Sequence, residues 1–267
     1  MSKEIRADLL LSQELETKCI PTGSRNLDKA LGHGLRLGTI LEITGTTGKT
    51  QLAMQLMVNT VLPAPVGLID GEVIFISTRK SFLEQRVNQL IDKVVSVYNK
   101  SADKVDAKGD SIEHSVTRED LLKRIHHKMI FSLLDLISTV YQLKEMTRKN
   151  RKIRLIIIDS FTTHLVSAKQ PEETRITAEL MSAFNSIASS RKHGCAIVLT
   201  NDLTVEMTGD CDLLRPALGD IFHHYIPQRV FIAKSEDGDI IADVQKSLCR
   251  GPSLVKLAIT ADGVRDG

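Results

Sequence analysis

Six consecutive residues have the types and spacing to hold phosphate: Gly45–Thr50 read Gly-Thr-Thr-Gly-Lys-Thr. An apolar run at 39–44 precedes them and a helical pattern at 51–57 follows, so they form a strand-to-helix turn. The first N–H groups of a helix lack intrahelical partners and suit an anion, and glycines let the backbone curl around it. In such a loop Lys49 reaches the outer phosphates and the Thr50 hydroxyl ligates Mg²⁺. We therefore predict a site for ATP with Mg²⁺ formed by Gly45, Thr46, Thr47, Gly48, Lys49, Thr50 and Gln51.

The spacing of this loop departs from the usual one. Phosphate-binding loops place four residues between the first glycine and Gly-Lys-Thr, and here that first position holds Ile43. The nearest glycine is Gly45, which leaves the loop two residues short. One alternative is a structural turn that merely contains Gly-Lys-Thr. The surrounding strand, helix and partner residues favour a nucleotide site, but the short loop predicts weak binding.

Composition predicts one α/β domain with an aliphatic core. The chain has 267 residues, of which 42% are hydrophobic and 4% aromatic, with no Trp, and this suits buried parallel strands. A net charge of +2 is too small to indicate nucleic-acid binding by itself. The four cysteines are scattered, which favours reduced thiols over zinc ligands or disulfides. Without a membrane-length apolar run or a signal-peptide pattern, we expect a soluble nuclear or cytosolic protein.

Periodicity predicts the order of the elements. Amphipathic patterns indicate a helix within residues 1–20 and a short one in 27–35 that is closed by glycine, whereas the polar stretch 99–119 indicates a surface loop. The fold class is therefore α/β, with a mostly parallel twisted sheet flanked by helices and antiparallel hairpin strands near the C-terminus. The predicted strands are 72–77, 129–132, 153–158, 196–200, 229–234, 240–244 and 254–259, and the longer helices are 82–98, 134–143 and 173–190.

Three predicted strands end in polar residues: Thr78-Arg79, Asp159 and Asn201-Asp202. Ligands of open α/β sheets bind at the carboxyl ends of the strands, so these side chains should face the phosphate loop. Asp159 follows a β-branched run and is a candidate to hold Mg²⁺ through water, as a Walker B aspartate does. We predict Thr50 and Asp159 as the metal-site residues.

Hydrolysis would also need a carboxylate that polarises the attacking water. The strand after the phosphate loop ends Ile76-Ser77-Thr78-Arg79-Lys80, and the nearest acid, Glu84, lies inside the next helix. Arginine stays protonated and cannot serve as a base. The sequence therefore predicts a site that holds a nucleotide better than it cleaves one, and no catalytic residue is assigned.

Several segments in a fixed order resemble the eukaryotic RecA-type strand-exchange recombinases, closest to their C-type paralogue or to the meiotic paralogue called spindle-D. The resemblance covers nearly the whole chain. It implies a RecA-like P-loop core at residues 26–267, an N-terminal linker helix at 1–25, and no room for the family's N-terminal DNA-binding domain. The segments are 27–34, 43–45, 48–52, 73–78, 155–159, 198–201, 216–219, His224, Arg229 and 261–263.

The departures from the family pattern lie at functional positions. The family's catalytic Glu falls on Arg79, and the Asp of its strand-end Asp-Thr pair falls on Ser77. The glutamine that senses the γ-phosphate falls on Asp202, and the Ser-Pro of the cap over a neighbour's nucleotide becomes Ser247-Leu248. Each change argues against self-sufficient, ATP-driven filament assembly.

The resemblance implies an accessory recombinase paralogue in homologous recombination and DNA double-strand break repair in the nucleus, with a meiotic role. It would act with other paralogues, as a heterodimer or larger complex, to support recombinase assembly on single-stranded DNA. Single-stranded DNA is a further candidate ligand, because the family's two DNA loops map to 167–175 and 203–215. Those loops hold few cations and no aromatic side chain, so direct contact stays open.

Two other functions remain open. The first is an active DNA-stimulated ATPase of the RecA family that recruits a glutamate from elsewhere. The second is an unrelated P-loop NTPase or kinase that grips a second phosphorylated substrate with Arg79 and Lys80. Such enzymes usually need a lid, and the sequence has no obvious candidate for one.

Overall fold

A computed structural model describes most of the chain. The described residues are 18–63, 69–79, 82, 84–105, 115–166, 171–190, 194–208 and 211–267, without the side chains of 101–105, 207, 208 and 211–213. The predicted helix within residues 1–20 falls largely outside them. At the end of that predicted helix, Cys19–Ile20 form a short strand instead. The domain boundary near residue 25 stays a prediction.

A nine-stranded mixed sheet organises the fold. In order across the sheet, its strands are β13 Gly263–Asp266, β12 Ser253–Thr260, β11 Ile240–Lys246, β10 Gln228–Lys234, β3 Ile40–Gly45, β7 Ala196–Thr200, β6 Ile153–Asp159, β4 Glu72–Ser77 and β5 Ile125–Met129. The six strands from β10 to β5 are parallel, and β11, β12 and β13 extend the sheet in antiparallel fashion. This confirms the predicted α/β class with antiparallel strands at the C-terminus.

Helices cover both faces of the sheet, and two short strand pairs lie outside it. The pairs are β1 Cys19–Ile20 with β2 Leu35–Arg36, and β8 Leu203–Thr208 with β9 Cys211–Pro216. The helices are α1 Arg25–Leu31, α2 Lys49–Val61, α3 Glu84–Val105, α4 Arg118–Leu122, α5 Leu133–Lys149, α6 Glu172–Ala188 and α7 Gly219–Tyr225.

The central strands are apolar because both of their faces are buried. On β6, Leu155 and Ile157 pack into the cluster that contains α2, whereas Ile156 and Ile158 pack into the cluster that contains α5 and α6. Alternate side chains of a strand point to opposite faces, so a continuous run of Leu and Ile fills two cores. Because the six strands from β10 to β5 are parallel, their carboxyl ends all lie at the same edge of the sheet.

The structure corrects three predicted boundaries. The strand predicted at 129–132 lies at 125–129, where three polar residues of β5 are exposed at the sheet edge. The helix predicted to end at 98 continues to 105, and α4 begins at 118, so both ends of the polar loop predicted at 99–119 are helical. The second predicted DNA loop, 203–215, contains the β8–β9 hairpin. Among the described residues, no helix combines the length and apolarity needed to cross a bilayer.

Ser24 joins the start of the described fold to the last strand. Its hydroxyl accepts the Leu27 N–H at 3.1 Å as the N-cap of α1 and donates to Asp266 Oδ1 at 2.5 Å. We expect Ser24→Ala to lower the free energy of unfolding by about 1–2 kcal/mol, from the lost cap and the lost hydroxyl–carboxylate bond. Urea denaturation measures this change.

The matched control is Ser138→Ala, a change of an exposed serine in α5 that should stay within about 0.5 kcal/mol of wild type. The Ser24 hydrogen bond lowers the pKa of Asp266. Stability from a lowered carboxyl pKa is present above the unfolded pKa and is lost as pH falls through the folded one. The difference between wild type and Ser24→Ala should therefore shrink below about pH 4. Equal unfolding free energies at pH 7 would contradict this account.

Candidate functional site

The predicted phosphate loop lies between β3 and α2, and α2 begins at Lys49. Gly45 has a φ of +127°, and a Cβ at this position would lie 1.9 Å from the Ile232 carbonyl oxygen on β10. The same oxygen accepts the Thr46 N–H at 2.9 Å and the Thr47 N–H at 3.5 Å. Two N–H groups that a longer loop would turn towards phosphate are therefore bonded to the neighbouring strand.

The two predicted metal-site residues meet. The Thr50 hydroxyl donates to Asp159 Oδ2 at 2.9 Å, and Asp159, at the end of β6, is 3% exposed. The Thr200 hydroxyl donates to the other oxygen of the same carboxylate. A hydroxyl and a carboxylate are hard oxygen ligands, and Mg²⁺ in nucleotide sites takes few protein ligands beside phosphates and waters. This donor pair fits Mg²⁺, whereas the described residues contain no group of three or more His, Cys, Asp or Glu placed for a metal.

Lys49 faces the sheet end where the outer phosphates would lie. Its Nζ donates to the Gly45 carbonyl at 2.7 Å and is 3.5 Å from Asp202 Oδ1. The other oxygen of Asp202 accepts Arg79 Nη2 at 2.7 Å and the Ser160 hydroxyl at 3.1 Å. Sequence reasoning placed Arg79 and Asp202 at strand ends but missed that the two form an ion pair beside Lys49. The available signal was a pair of opposite charges after β4 and β7, two parallel strands that lie on either side of β6.

Gln51, the last predicted site residue, is tied to the C-terminal strands. Its Oε1 accepts Arg86 Nε at 2.8 Å, and Arg86 also donates to the carbonyls of Thr260 and Ala261 at 2.6 and 2.9 Å. Arg86 therefore connects the first turn of α2 to the β12–β13 turn. No periodic pattern predicts this contact, because Arg86 occupies a polar position of an amphipathic helix.

A buried ion pair lies behind the loop and was also missed. Glu42 on β3 is 0% exposed, and its carboxylate accepts Arg229 Nε at 2.6 Å and Asn201 Nδ2 at 2.6 Å. Burial raises the pKa of Glu42, while Arg229 and Asn201 act in the opposite direction. Arg229 also contacts His223 Nδ1, and burial with the nearby Arg229 and Lys246 charges lowers the pKa of His223. The available signal was an acidic residue inside the buried strand β3 and a basic residue near the start of the neighbouring strand β10.

The region predicted to touch DNA is partly described. Residues 167–170 lie outside the described part, and 172–175 belong to α6. In the β8–β9 hairpin, Arg215 Nε pairs with Glu206 at 2.7 Å, and the facing Val205 and Leu214 are both exposed. The paired arginine reduces the positive charge that this hairpin offers to a phosphate backbone.

The comparisons with known proteins decide the family. A family model described as Rad51 matches residues 13–267. The chain belongs to the Rad51 family. It is 30% identical over 269 residues to "DNA repair protein RAD51 homolog 3" of Cricetulus griseus, an alignment that covers 99% of this chain and 73% of that protein. It is 28% identical over 231 residues to the protein of the same name from Dictyostelium discoideum, covering 84% of this chain and 60% of that one.

Rad51-family membership confirms the resemblance to the RecA-type recombinases, and the two named homologues support the C-type paralogue within it. Membership of the Rad51 family also excludes the alternative that the chain is an unrelated P-loop NTPase or kinase. The resemblance to spindle-D stays a prediction. Within this Rad51-family chain the predicted phosphate loop, Lys49, Thr50 and Asp159 meet at one edge of the sheet, and Arg79 lies at the same edge against Asp202. That Arg79 replaces the family's catalytic acid stays a prediction.

Proposed function

We propose that this chain is an accessory Rad51-family paralogue in homologous recombination and DNA double-strand break repair, with a meiotic role in the nucleus. It acts in a heterodimer or larger complex with other paralogues and supports recombinase assembly on single-stranded DNA. Family membership and two relatives that are named DNA repair proteins support the repair and recombination role.

We further propose that the chain binds ATP with Mg²⁺ weakly through residues 45–51. Thr50 and Asp159 would hold the metal, which neutralises phosphate charge when bound. Lys49 would contact the outer phosphates from the first turn of α2. The affinity is low because the Thr46 and Thr47 N–H groups are bonded to Ile232 and contribute less to the cradle.

Arg79 is the residue that supports an accessory role for this chain over a hydrolytic one. Its guanidinium lies 2.7 Å from Asp202, at the strand end where a hydrolytic enzyme would present a carboxylate to water. A guanidinium cannot accept that water's proton. The chain is thus suited to hold a nucleotide as a structural ligand while a partner subunit supplies turnover.

Direct contact with single-stranded DNA is expected to be weak in the isolated chain. Strand binders combine a cationic groove with stacking aromatic side chains. In the described part of the hairpin, Arg215 is paired with Glu206, and the exposed side chains opposite each other are Val205 and Leu214. The complex is therefore the form to assay on DNA.

Co-expression with each Rad51-family paralogue of the same organism tests this function. We expect one paralogue to co-elute with the chain in a stoichiometric complex that increases recombinase loading on single-stranded DNA. Lys49→Ala should weaken Mg·ATP binding at least about tenfold, because the cation that faces the outer phosphates is lost. Lys234→Ala, which removes an exposed lysine at the end of β10, is the matched control.

An isolated chain that binds no paralogue would contradict the accessory role. The second candidate function, a DNA-stimulated ATPase, is favoured by one observation: the Asp202 carboxylate is 3.5 Å from Lys49 Nζ. ATP turnover by the lone chain that survives purification and disappears in both Lys49→Ala and Asp202→Asn would establish that alternative.

A further inference from the structure

The Asp202 carboxylate lies among cations that should otherwise face a bound nucleotide. Oδ1 is 3.5 Å from Lys49 Nζ, and Oδ2 accepts Arg79 Nη2 at 2.7 Å and the Ser160 hydroxyl at 3.1 Å. Lys49 comes from the start of α2, Arg79 from the end of β4 and Ser160 from the end of β6. Donors of three elements thus converge on one anionic side chain.

The Asp202 carboxylate pairs with the same Lys49 ammonium that an outer phosphate would contact. The lysine of a phosphate-binding loop contacts the β- and γ-phosphates, and carboxylates and phosphates accept hydrogen bonds from the same cationic donors. Asp202 is therefore an internal anion in contact with the lysine that would receive the terminal phosphate of a nucleoside triphosphate. A nucleoside diphosphate ends one phosphate earlier and leaves this contact in place.

Hydrogen bonds anchor the backbone around Asp202 and oppose a chain shift that would withdraw the carboxylate. The preceding Asn201 is 0% exposed, and its Nδ2 donates to Glu42 Oε1 at 2.6 Å and to the Ala217 carbonyl at 3.0 Å. The Asp202 N–H donates to Thr162 Oγ1 at 3.2 Å, and the Asp202 carbonyl accepts the Ala217 N–H at 2.9 Å. To make room for a phosphate, the Asp202 side chain would have to rotate, which would break its bond with Arg79.

We propose that Asp202 is a specificity-determining residue that makes this site prefer a nucleoside diphosphate over a triphosphate, with Arg79 holding the carboxylate next to Lys49. The inference deepens the proposed function and rests on its nucleotide site. A γ-phosphate would lie against a carboxylate in a partly enclosed site, where like charges repel strongly. The diphosphate avoids that repulsion and still uses the loop, Lys49 and the Thr50–Asp159 pair.

Equilibrium competition binding tests the preference on the full chain, alone and in its paralogue complex, with Mg·ADP and the slowly hydrolysed analogue Mg·ATPγS. We expect wild type to bind ADP at least about tenfold more tightly than ATPγS. Asp202→Asn keeps the shape but removes the charge, and it should lower this ratio about tenfold, through tighter ATPγS binding with ADP affinity nearly unchanged. Asp220→Asn, at an exposed aspartate in the first turn of α7, is the matched control and should leave the ratio unchanged.

A thermal melt of each variant shows whether it is folded, and the wild-type ratio tests the proposal without any variant. Wild type that binds ATPγS as tightly as ADP, or a folded Asp202→Asn that keeps the wild-type ratio, would overturn the inference. If those results come with binding that Lys49→Ala weakens and an intact paralogue complex, the proposed function survives. If neither nucleotide binds, the inference and the nucleotide part of the proposed function both fail.

Discussion

Replacing Arg229 with alanine is expected to lower the free energy of unfolding by about 3–5 kcal/mol. The Arg229 side chain is 5% exposed, and its Nε lies 2.6 Å from the fully buried Glu42 carboxylate. Removing one partner of a buried pair leaves the other as an uncompensated charge, which costs far more than the pair itself contributes. Urea or thermal denaturation measures the loss.

The matched control is Arg215→Ala. Arg215 makes an equally short 2.7 Å pair with Glu206, but the two side chains are 53% and 45% exposed. Exposed ion pairs contribute about 0–1 kcal/mol, so this variant should unfold close to wild type. Adding Glu42→Gln to Arg229→Ala should recover part of the lost stability, because the buried charge is removed. Equal effects of the two arginine variants would contradict the role given to burial.

The destabilisation by Arg229→Ala should also depend on pH. Burial raises the pKa of Glu42, and loss of Arg229, which acts to lower it, raises it further. An acid with a raised folded pKa contributes stability below its unfolded pKa and loses that contribution as pH rises through the folded value. The deficit of Arg229→Ala should therefore be smaller at about pH 5 than at pH 8. A deficit that grows on acidification would reverse the assignment.

Gly45→Ala is the second substitution with a large expected effect, about 3 kcal/mol or more of stability together with loss of nucleotide binding. The φ of +127° is strained for any L side chain, and the new Cβ would lie 1.9 Å from the Ile232 carbonyl oxygen. The chain must therefore move away from β10, which breaks the 2.9 Å bond from the Thr46 N–H to Ile232. Denaturation and Mg·ADP binding measure the two consequences.

Gly219→Ala is the control that separates the steric clash with Ile232 from the strain of a positive φ. Gly219 also has a positive φ of 60°, but a Cβ there would meet nothing within 4 Å. This control should cost only the left-handed conformation, about 1–2 kcal/mol, and should leave nucleotide affinity unchanged. Similar losses of nucleotide affinity in the two variants would show that the close approach to Ile232 is not what shapes the loop.

Errors in the strand prediction arose where a strand is not buried on both faces. The apolar runs of β3, β6 and β7 were placed correctly, because the parallel sheet buries each of them in two cores. β5 was placed four residues too late. It is an edge strand with an exposed His126-His127-Lys128 segment, so no apolar run marks its position in the sequence. An edge strand needs backbone partners on one side only, so its side chains carry a weaker signal.

The sequence by itself determined the α/β sheet, in which the predicted phosphate loop, the strand-end Asp159 and Arg79 all follow parallel strands. Their local patterns suffice, since parallel strands bring their carboxyl ends to a common edge. Only the tertiary structure decided that Asp202 faces both Arg79 and Lys49, and that Ile232 binds the loop N–H groups. Those contacts join residues that are far apart in the chain. They depend on how side chains from several strands meet in space, and the periodicity of a single strand does not encode that geometry.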